Sequence, residues 1–178
     1  MKKTKIIHRN PWWDYKHDKF NSKIDGEVNY FYGDSNGNSL IIATTKENKI
    51  LLIQQKRYLK KNKISIEFPS GWINRNETAK QAALREMEEE TCHQTKKISF
   101  IKKIETLPGS FKNTCHIFHA ENVQKIKNCE IADKKITGVL YCTPKQIEEL
   151  IIKDKIWAGQ SIAAWHIFRQ KVKKEKSK

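Results

Sequence analysis

Apolar residues fall in short runs separated by polar turns, a pattern typical of a mixed sheet-and-helix protein. Leu40–Thr44 and Ile50–Gln54 are apolar runs joined by a polar loop, which predicts two buried strands in a hairpin. Apolar and polar residues alternate over Ile64–Phe68, which predicts a half-buried strand ending at Pro69-Ser70-Gly71. Further strands are predicted at 98–104, 116–120 and 138–141.

Local capping signals and helical periodicity predict three helices. Thr78 and Gln81 form a T-x-x-Q capping box, which predicts a helix from Thr78 through about Glu90. Thr143-Pro144 predicts a second helix through Ile152, and 159–172 reads as a final amphipathic helix. Because strands precede and follow the central helix, we expect mixed α/β layers.

The chain shows no visible domain boundary. It has no internal repeat and no linker rich in Pro, Gly and Ser, so residues 1–178 are interpreted as one domain. Residues 1–35 form an aromatic-rich segment without a long period, and residues 171–178 are interpreted as a basic, solvated tail.

Charge and cysteine content limit the possible partners and compartments. The 35 Lys and Arg against 20 Asp and Glu give a net charge of +15, but only five of the basic residues are Arg and the lysines are scattered. Nucleic acid is therefore not the expected partner, although an RNA-binding role stays open as an alternative. Without a run of about 20 apolar residues or an export signal, we expect no membrane partner and a cytoplasmic location. Four cysteines without a C-x-x-C pair are expected to be free thiols.

Acidic residues crowd the end of the central helix, where the helix dipole disfavours anions. Glu86 and Glu90 are four residues apart, so they share a face and repel each other. One interpretation is a solvated acidic face. The other is a site for a hard cation such as Mg²⁺, because the turn at Pro69-Ser70-Gly71 precedes this helix and offers carbonyl oxygens.

Gly71, Glu77 and the segment Arg85-Glu86-Met87-Glu88-Glu89-Glu90 together resemble the Nudix box, G-x5-E-x7-R-E-U-x-E-E-x-G-U. Every charged position of the pattern is filled. Cys92 replaces the final glycine and His93 replaces the apolar residue after it, and we expect changed loop geometry there rather than lost chemistry.

Other segments resemble the ADP-ribose pyrophosphatase branch of this family. They are Asn10-Pro11-Trp12-Trp13, Gln54-Gln55-Lys56-Arg57-Tyr58, Glu67-Phe68-Pro69-Ser70-Gly71, Leu107-Pro108-Gly109 and Gln160-Ser161-Ile162-Ala163-Ala164. The resemblance implies the Nudix fold, with mixed β-sheet layers sandwiched between helices. It also implies a homodimer with the 1–35 segment at its interface.

The same resemblance assigns roles in catalysis and metal binding. Glu86 and Glu90 are implied as the core Mg²⁺ ligands, with Mn²⁺ as a possible substitute, and Glu89 and the Ser70 carbonyl complete the set. Arg85 is implied to orient these carboxylates by pairing with Glu77 or Glu89.

The resemblance also assigns the catalytic base and the contacts with substrate. Glu130 is the first choice for the base and Asp133 the second, and Glu89 is the alternative. Arg57 is implied to bind the pyrophosphate, against the alternative of a surface cation beside Lys56. Glu67 is a candidate acceptor for adenine or ribose, and Pro108 and Gly109 mark the branch. Trp13, with Trp12, either stacks on adenine or belongs to the core or a dimer interface.

These observations predict Mg²⁺-dependent hydrolysis of the pyrophosphate bond of a nucleoside diphosphate sugar, giving AMP and ribose 5-phosphate if the substrate is ADP-ribose. Cleavage of UDP-sugars, GDP-mannose or dinucleoside polyphosphates is the alternative among enzymes. A Nudix module that binds ADP-ribose without cleaving it is the alternative among binding proteins.

Overall fold

The described part of the chain folds into a strand-rich structure with three α-helices. The computed structural model describes residues 2–176. The strands are β1 (Lys3–Arg9), β2 (Trp13–Ser22), β3 (Gly26–Ser35), β4 (Asn38–Thr44), β5 (Ile50–Arg57), β6 (Lys63–Glu67), β7 (Ser70–Trp72), β8 (His93–Gln94), β9 (Lys97–Glu105), β10 (Phe111–Lys112), β11 (Thr114–Glu121), β12 (Gln124–Lys125) and β13 (Ile136–Cys142). The helices are α1 (Ala79–Thr91), α2 (Pro144–Ile152) and α3 (Gly159–Lys176).

The two apolar runs form the centre of the main sheet. Its strand order is β13-β5-β4-β11-β9, while β6 pairs with β5 and β7 pairs with β4. β4 and β11 run parallel, and β4 meets β5 antiparallel at Thr44 and Ile50, so the predicted hairpin is confirmed. Both faces of β4 are buried, which explains why the run 40–43 is continuously apolar.

Helices cover the two faces of this sheet. Ala83 and Met87 of α1 pack on one face against Ile41 and Leu51. Residues of α2 and α3 pack on the opposite face, where Ile147 and Trp165 join Leu40, Leu52 and Phe68. The predicted architecture of mixed sheet layers between helices is confirmed.

The starts of α1 and α2 are fixed by the predicted capping signals. The Gln81 amide donates to the Thr78 hydroxyl at 3.3 Å, and the Thr78 amide donates to the Gln81 side chain at 2.9 Å. Thr143 and Gln146 make the same reciprocal pair at the start of α2. Because these bonds satisfy amides that the first helical turn leaves unpaired, they determine where each helix begins.

Cys92 ends α1 in the left-handed conformation that glycine usually supplies. Its φ is 55° and ψ is 40°, and its amide donates to the Glu88 carbonyl at 2.8 Å. The expectation of changed geometry is therefore wrong at this residue. A side chain in this conformation costs on the order of 1 kcal/mol relative to glycine.

A disulfide joins Cys92 to Cys129, with Cα atoms 5.7 Å apart. The prediction of four free thiols is wrong for these two residues, while Cys115 and Cys142 are free and buried. The fold brings together two residues 37 positions apart, at a Cα separation in the range that a disulfide requires.

Replacing Cys92 with glycine is expected to change stability with a sign that depends on redox conditions. Under oxidising conditions the variant loses a cross-link worth roughly 3–4 kcal/mol and regains only about 1 kcal/mol of backbone freedom. With dithiol present, the variant should be more stable than wild type by up to about 1 kcal/mol. Urea unfolding in both conditions measures this. Cys129→Ser is the control, because it loses the disulfide and keeps the left-handed cysteine; equal stability of the two variants would contradict the prediction.

The aromatic-rich N-terminal segment forms a second sheet, ordered β1-β2-β3-β10. β2 and β3 form a hairpin whose turn ends at Gly26, where φ is 70°. β10 adds in parallel, with Phe111 opposite Gly33. Few of its side chains are buried, so the hydrophobic alternation that reveals a strand is weak here.

The final helix is longer than its periodicity predicts. α3 continues to Lys176, so residues 171–176 of the predicted basic tail are helical, and 177–178 lie outside the described residues. Of the helices in the described chain, none has the length and apolar character required to cross a bilayer.

Candidate functional site

Glu90 is a buried carboxylate held against the turn that begins β7. It is 4% exposed, and its Oε2 accepts a hydrogen bond from the Ser70 amide at 2.9 Å. Burial raises the pKa of the Glu90 carboxyl to about 8, although the Ser70 hydrogen bond acts in the opposite direction. A buried carboxyl with a raised pKa is a candidate functional group.

Glu86 lies directly over Gly71. A Cβ atom at position 71 would overlap the Glu86 carboxylate, so only glycine leaves room for it. Burial raises the pKa of Glu86, while the hydrogen bond and charge of Arg85 act against that shift. The turn at residues 70–71 thus contacts both of the carboxylates that the helical spacing places on one face.

Gly71→Ala is expected to displace the Glu86 carboxylate and lower cation-dependent hydrolysis by roughly 10- to 100-fold, since small displacements of a positioned group have effects of that size. Steady-state kinetics on ADP-ribose would measure it. Gly26→Ala is the matched control, because its φ of 70° costs stability while its Cβ would meet nothing within 4 Å. An equal activity loss in both variants would contradict the role of Gly71.

Arg85 links the acidic side chains of this region. Its Nε and Nη2 donate to the two oxygens of Glu77 at 2.8 and 3.0 Å. Its Nη1 donates to Glu86 at 2.6 Å and Glu89 at 3.1 Å, and Nη2 also reaches the Trp72 carbonyl at 3.0 Å. The hydrogen bond from Arg85 lowers the pKa of Glu77. Both expected partners, Glu77 and Glu89, therefore contact Arg85, and Glu86 is a third.

The donor set has the chemistry of a hard-cation site without its full geometry. Carboxylate and carbonyl oxygens at Ser70, Glu86, Glu89 and Glu90 are the ligand types that Mg²⁺ and Mn²⁺ accept. Among residues 2–176, no three His, Cys, Asp or Glu side chains converge on one point as metal ligands. Glu86 and Glu89 instead bond to Arg85. The fit rests on the buried Glu90 and on the space that Gly71 leaves for Glu86.

Arg57 and Glu67 form an ion pair at one wall of a cleft beside this cluster. The Arg57 Nε donates to Glu67 Oε1 at 2.7 Å, and its Nη2 bonds the other oxygen. Burial lowers the pKa of Arg57, but the hydrogen bond and charge of Glu67 outweigh it and raise the pKa above its usual value. The Arg57 side chain keeps 41% of its surface exposed and Glu67 only 5%, so Arg57 is the member that can reach a ligand.

The cleft itself holds about 340 Å³ and contains residues that the sequence did not reveal. Asn38, Trp72, Asn113, Trp157 and Gln160 line it together with Arg57, Glu67, Ser70 and Gly71. They come from β4, from β7 and from segments before β11 and around the start of α3, so no local pattern connects them. Of these five residues, Gln160 is the one that belongs to a segment resembling the ADP-ribose pyrophosphatase branch.

The remaining predicted substrate residues lie outside this cleft. Trp13 packs on Phe111 at 5.5 Å, and Phe111 packs on Trp72 at 6.1 Å between ring centroids. Trp13 and Trp72 also line a second cavity of about 160 Å³, which is separate from the cleft. Pro108 lines a separate cavity with Tyr30 and Tyr32. The Gly109 carbonyl accepts a hydrogen bond from the Tyr30 hydroxyl at 2.5 Å.

The loop before β13 brings one of its two acidic residues toward the cluster. Glu130 is exposed, whereas Asp133 is half-buried and its charge contributes to the pKa shifts of both Glu90 and Arg57. The Ala132 amide donates to the Glu89 carbonyl at 3.1 Å, which fixes the loop to the end of α1.

Known proteins resemble this chain in sequence and in fold. The chain is 28% identical over 125 residues to two proteins, covering 70% of this chain and 67% of each: the "ADP-ribose pyrophosphatase" of Bacillus subtilis (strain 168) and the "Methanol dehydrogenase activator" of Bacillus methanolicus. The fold superimposes on the crystal structure of an "ADP compounds hydrolase" with a TM-score of 0.78, covering 97% of this chain and 93% of that one at 16% identity. Residues 36–165 match the NUDIX domain, and the chain therefore belongs to the NUDIX family.

Proposed function

We propose that the protein is a Mg²⁺-dependent hydrolase that cleaves the pyrophosphate bond of a nucleoside diphosphate sugar, with ADP-ribose giving AMP and ribose 5-phosphate. The observation that carries this proposal is the buried Glu90, held by the Ser70 amide beside a glycine that makes room for Glu86. Placing the buried Glu90 next to the half-buried Glu86 costs free energy unless a cation or hydrogen bonds compensate the two charges.

Glu86, Glu89, Glu90 and the Ser70 carbonyl are the proposed ligands, with Mg²⁺ as the cation and Mn²⁺ as its substitute. When bound, the cation would neutralise diphosphate charge and make water a better nucleophile at neutral pH. Arg85 orients Glu86 and Glu89, because its planar guanidinium donates to both at once. Glu90 accepts the Ser70 amide and so keeps one oxygen in a fixed direction.

The charge in the cleft supports a diphosphate as substrate. Glu67 holds Arg57 through Nε and Nη2, which leaves the other Nη free of that pair to bind phosphate oxygen. The cleft opens next to Ser70 and Gly71, so a diphosphate bound by Arg57 would lie beside the carboxylate cluster. The name of the Bacillus subtilis relative, "ADP-ribose pyrophosphatase", favours ADP-ribose among nucleoside diphosphate sugars.

A carboxylate from the loop before β13 is the proposed general base. Glu130, the first choice from the sequence, is exposed. Asp133 is half-buried, and its charge raises the pKa of both Glu90 and Arg57. The position of Asp133 favours it over Glu130, and Glu89 remains the alternative.

A nucleotide panel tests the substrate. ADP-ribose, a UDP-sugar, GDP-mannose and a dinucleoside polyphosphate would be assayed with and without Mg²⁺, with products separated by chromatography. We expect AMP and ribose 5-phosphate from ADP-ribose, with a kcat/KM at least about tenfold above the others, since one well-placed polar contact discriminates by that much. A higher value for another nucleotide would overturn the choice of ADP-ribose. Tight binding without any AMP would establish a binding module instead.

Arg57→Lys is expected to raise the KM for ADP-ribose about tenfold, because an ammonium cannot donate to Glu67 and a phosphate in the same forked geometry. The kcat should change less than KM. Lys56→Ala is the control, since Lys56 is an exposed neighbour on β5. A KM unchanged in Arg57→Lys would show that Arg57 serves only as the partner of Glu67.

The N-terminal sheet is the proposed interface of a homodimer. Ile6, Ile7, Trp12 and Phe31 are exposed apolar side chains on or next to it, and a second copy packed on this sheet would remove them from water. Light scattering after size exclusion should give twice the mass of the 20.9 kDa chain. A monomer at micromolar concentration would contradict this assignment.

A further inference from the structure

The disulfide lies between the end of α1 and the loop of residues 126–135, which we call the Asp133 loop. We propose that the Cys92–Cys129 disulfide positions this loop over the carboxylate cluster, and that its reduction by a dithiol lowers the rate of catalysis. The proposal rests on the proposed function, since it concerns the turnover of that same site. Cys92 and Cys129 act here as positioning residues, because neither is in the cleft.

The Asp133 loop is attached to α1 at three points. The Ile126 amide donates to the Cys92 carbonyl at 2.8 Å, and the Ala132 amide donates to the Glu89 carbonyl at 3.1 Å. The disulfide lies between these two hydrogen bonds in sequence and is the one covalent attachment of the three. A single hydrogen bond to a half-exposed backbone is worth only about 1 kcal/mol, so the covalent link restricts the loop most.

Two hydrogen bonds to Asp133 define the turn of the loop in which this residue lies. Asp133 Oδ1 accepts from the Lys135 amide at 2.8 Å, and the Asp133 carbonyl accepts from the Ile136 amide at 3.0 Å. The hydrogen bond from the Ala132 amide to the Glu89 carbonyl holds the residue before Asp133 at the end of α1, and the charge of Asp133 raises the pKa of both Glu90 and Arg57. A shift of the loop therefore moves Asp133 relative to both the carboxylates and the bound diphosphate.

The position of Cys92 in the helix cap supports a positioning role. The family pattern has glycine here, and cysteine takes the same left-handed conformation at a cost in stability. A disulfide at this residue is anchored directly beside Glu89 and Glu90, so its constraint acts on the catalytic end of α1.

Reduction can follow the ordinary exchange route. A thiolate of the dithiol attacks the Sγ of Cys129, which is half-buried, while Cys92 is 3% exposed and leaves as a thiolate that takes up a proton. The other thiolate of the reductant then attacks the reductant sulfur that is bound to Cys129. This step releases Cys129 as a thiolate, which takes up a proton, and leaves the reductant as a cyclic disulfide. Two electrons and two protons pass from the dithiol to the protein.

The test compares wild type with Cys129→Ser and Asp133→Asn, each with and without dithiol. We expect reduction to lower the kcat of wild type for ADP-ribose about tenfold with KM within twofold, since misplacement of a positioned group affects the chemical step most. Cys129→Ser should show the low kcat in both conditions. In Asp133→Asn, reduction should cause no further loss, because the group that the disulfide positions is already gone.

Amide hydrogen exchange supplies a readout that does not need turnover. Protection of the Ala132 amide should fall at least about tenfold on reduction of wild type and be equally low in Cys129→Ser. Unchanged Ala132 exchange on reduction, or an equal loss of kcat on reduction in Asp133→Asn, would overturn the proposal. So would non-reducing peptide mapping that finds Cys92 and Cys129 as thiols in air-oxidised protein. If no form hydrolyses ADP-ribose, the proposed function fails, and the Ala132 exchange still decides whether the disulfide holds the loop.

Discussion

Glu90→Gln is expected to lower cation-dependent hydrolysis by about 10³-fold, the effect of several kcal/mol of lost charge stabilisation in the transition state. Glutamine keeps an oxygen for the Ser70 amide, so the local structure should persist. What it loses is the negative charge that a divalent cation requires from this position. Activity at saturating Mg²⁺ and ADP-ribose is the measurement.

The same variant is expected to change how stability depends on pH in metal-free protein. The pKa of Glu90 rises from about 4.5 to about 8 on folding, so its contribution to stability is fully present below about pH 4.5 and is lost as pH rises through 8. Ionising it in the folded state costs on the order of 5 kcal/mol of stability at pH above 8. Wild type should therefore lose stability between pH 5 and 8, and Glu90→Gln should lose much less.

Glu88→Gln is the matched control, because Glu88 lies on the exposed side of the same helix. It should keep both the activity and the pH dependence of wild type. Urea unfolding at pH 5, 7 and 8.5 with a chelator present would measure the stability difference. If Glu90→Gln retained a tenth of the activity, Glu90 would not be a ligand of the cation. If its stability followed the pH dependence of wild type, the raised pKa of Glu90 would be contradicted.

Arg85→Ala is expected to destabilise the protein by about 3 kcal/mol. The guanidinium makes five hydrogen bonds to Glu77, Glu86, Glu89 and the Trp72 carbonyl, and its loss leaves carboxylates that are only 13% exposed at Glu77 and Glu86 without their cation. Breaking a largely buried ion pair from one side typically costs this much, because the remaining charge stays desolvated. Urea unfolding at pH 7 is the measurement.

Arg85→Lys separates charge from geometry in this network. A lysine supplies the charge but not the planar set of donors, so about half of the loss should remain. Arg75→Ala is the surface control and should change stability by less than about 0.5 kcal/mol, because Arg75 is exposed. If Arg85→Ala cost less than 1 kcal/mol, the network would have to be interpreted as a set of solvent-screened surface pairs.

The parts of the fold that the sequence predicted are those decided by local chemistry. Thr78 with Gln81, and Thr143 with Pro144, fix helix starts within four residues, so the pattern is sufficient there. The N-terminal sheet was not predicted because its strands are exposed on much of both faces and their pairing depends on a turn at Gly26 and on Phe111, far along the chain.

At the site, the motif predicted residues that the fold brings together, but it did not predict the contacts among them. Arg57 and Glu67 were given separate roles toward substrate, yet they bind each other. The β5–β6 register places Glu67 opposite Ile53 and Arg57 opposite Lys63, so strand pairing alone does not predict this contact. The disulfide could not be predicted either, because four cysteines allow six different single pairs and only the tertiary structure selects Cys92 with Cys129.

The packing of Phe111 makes the NUDIX-matching region dependent on the strands that precede it. Its ring fills the space over Gly33, where any side chain would overlap it, and it also packs against the rings of Trp13 and Trp72. A fragment starting at residue 36 would lack Trp13 and Gly33, so the rings of Phe111 and Trp72 would be more exposed to water. The Trp72 carbonyl is the one that accepts a hydrogen bond from Arg85. Residue 36, where the match to the NUDIX domain begins, is therefore not a position at which the chain can be cut without disturbing the site.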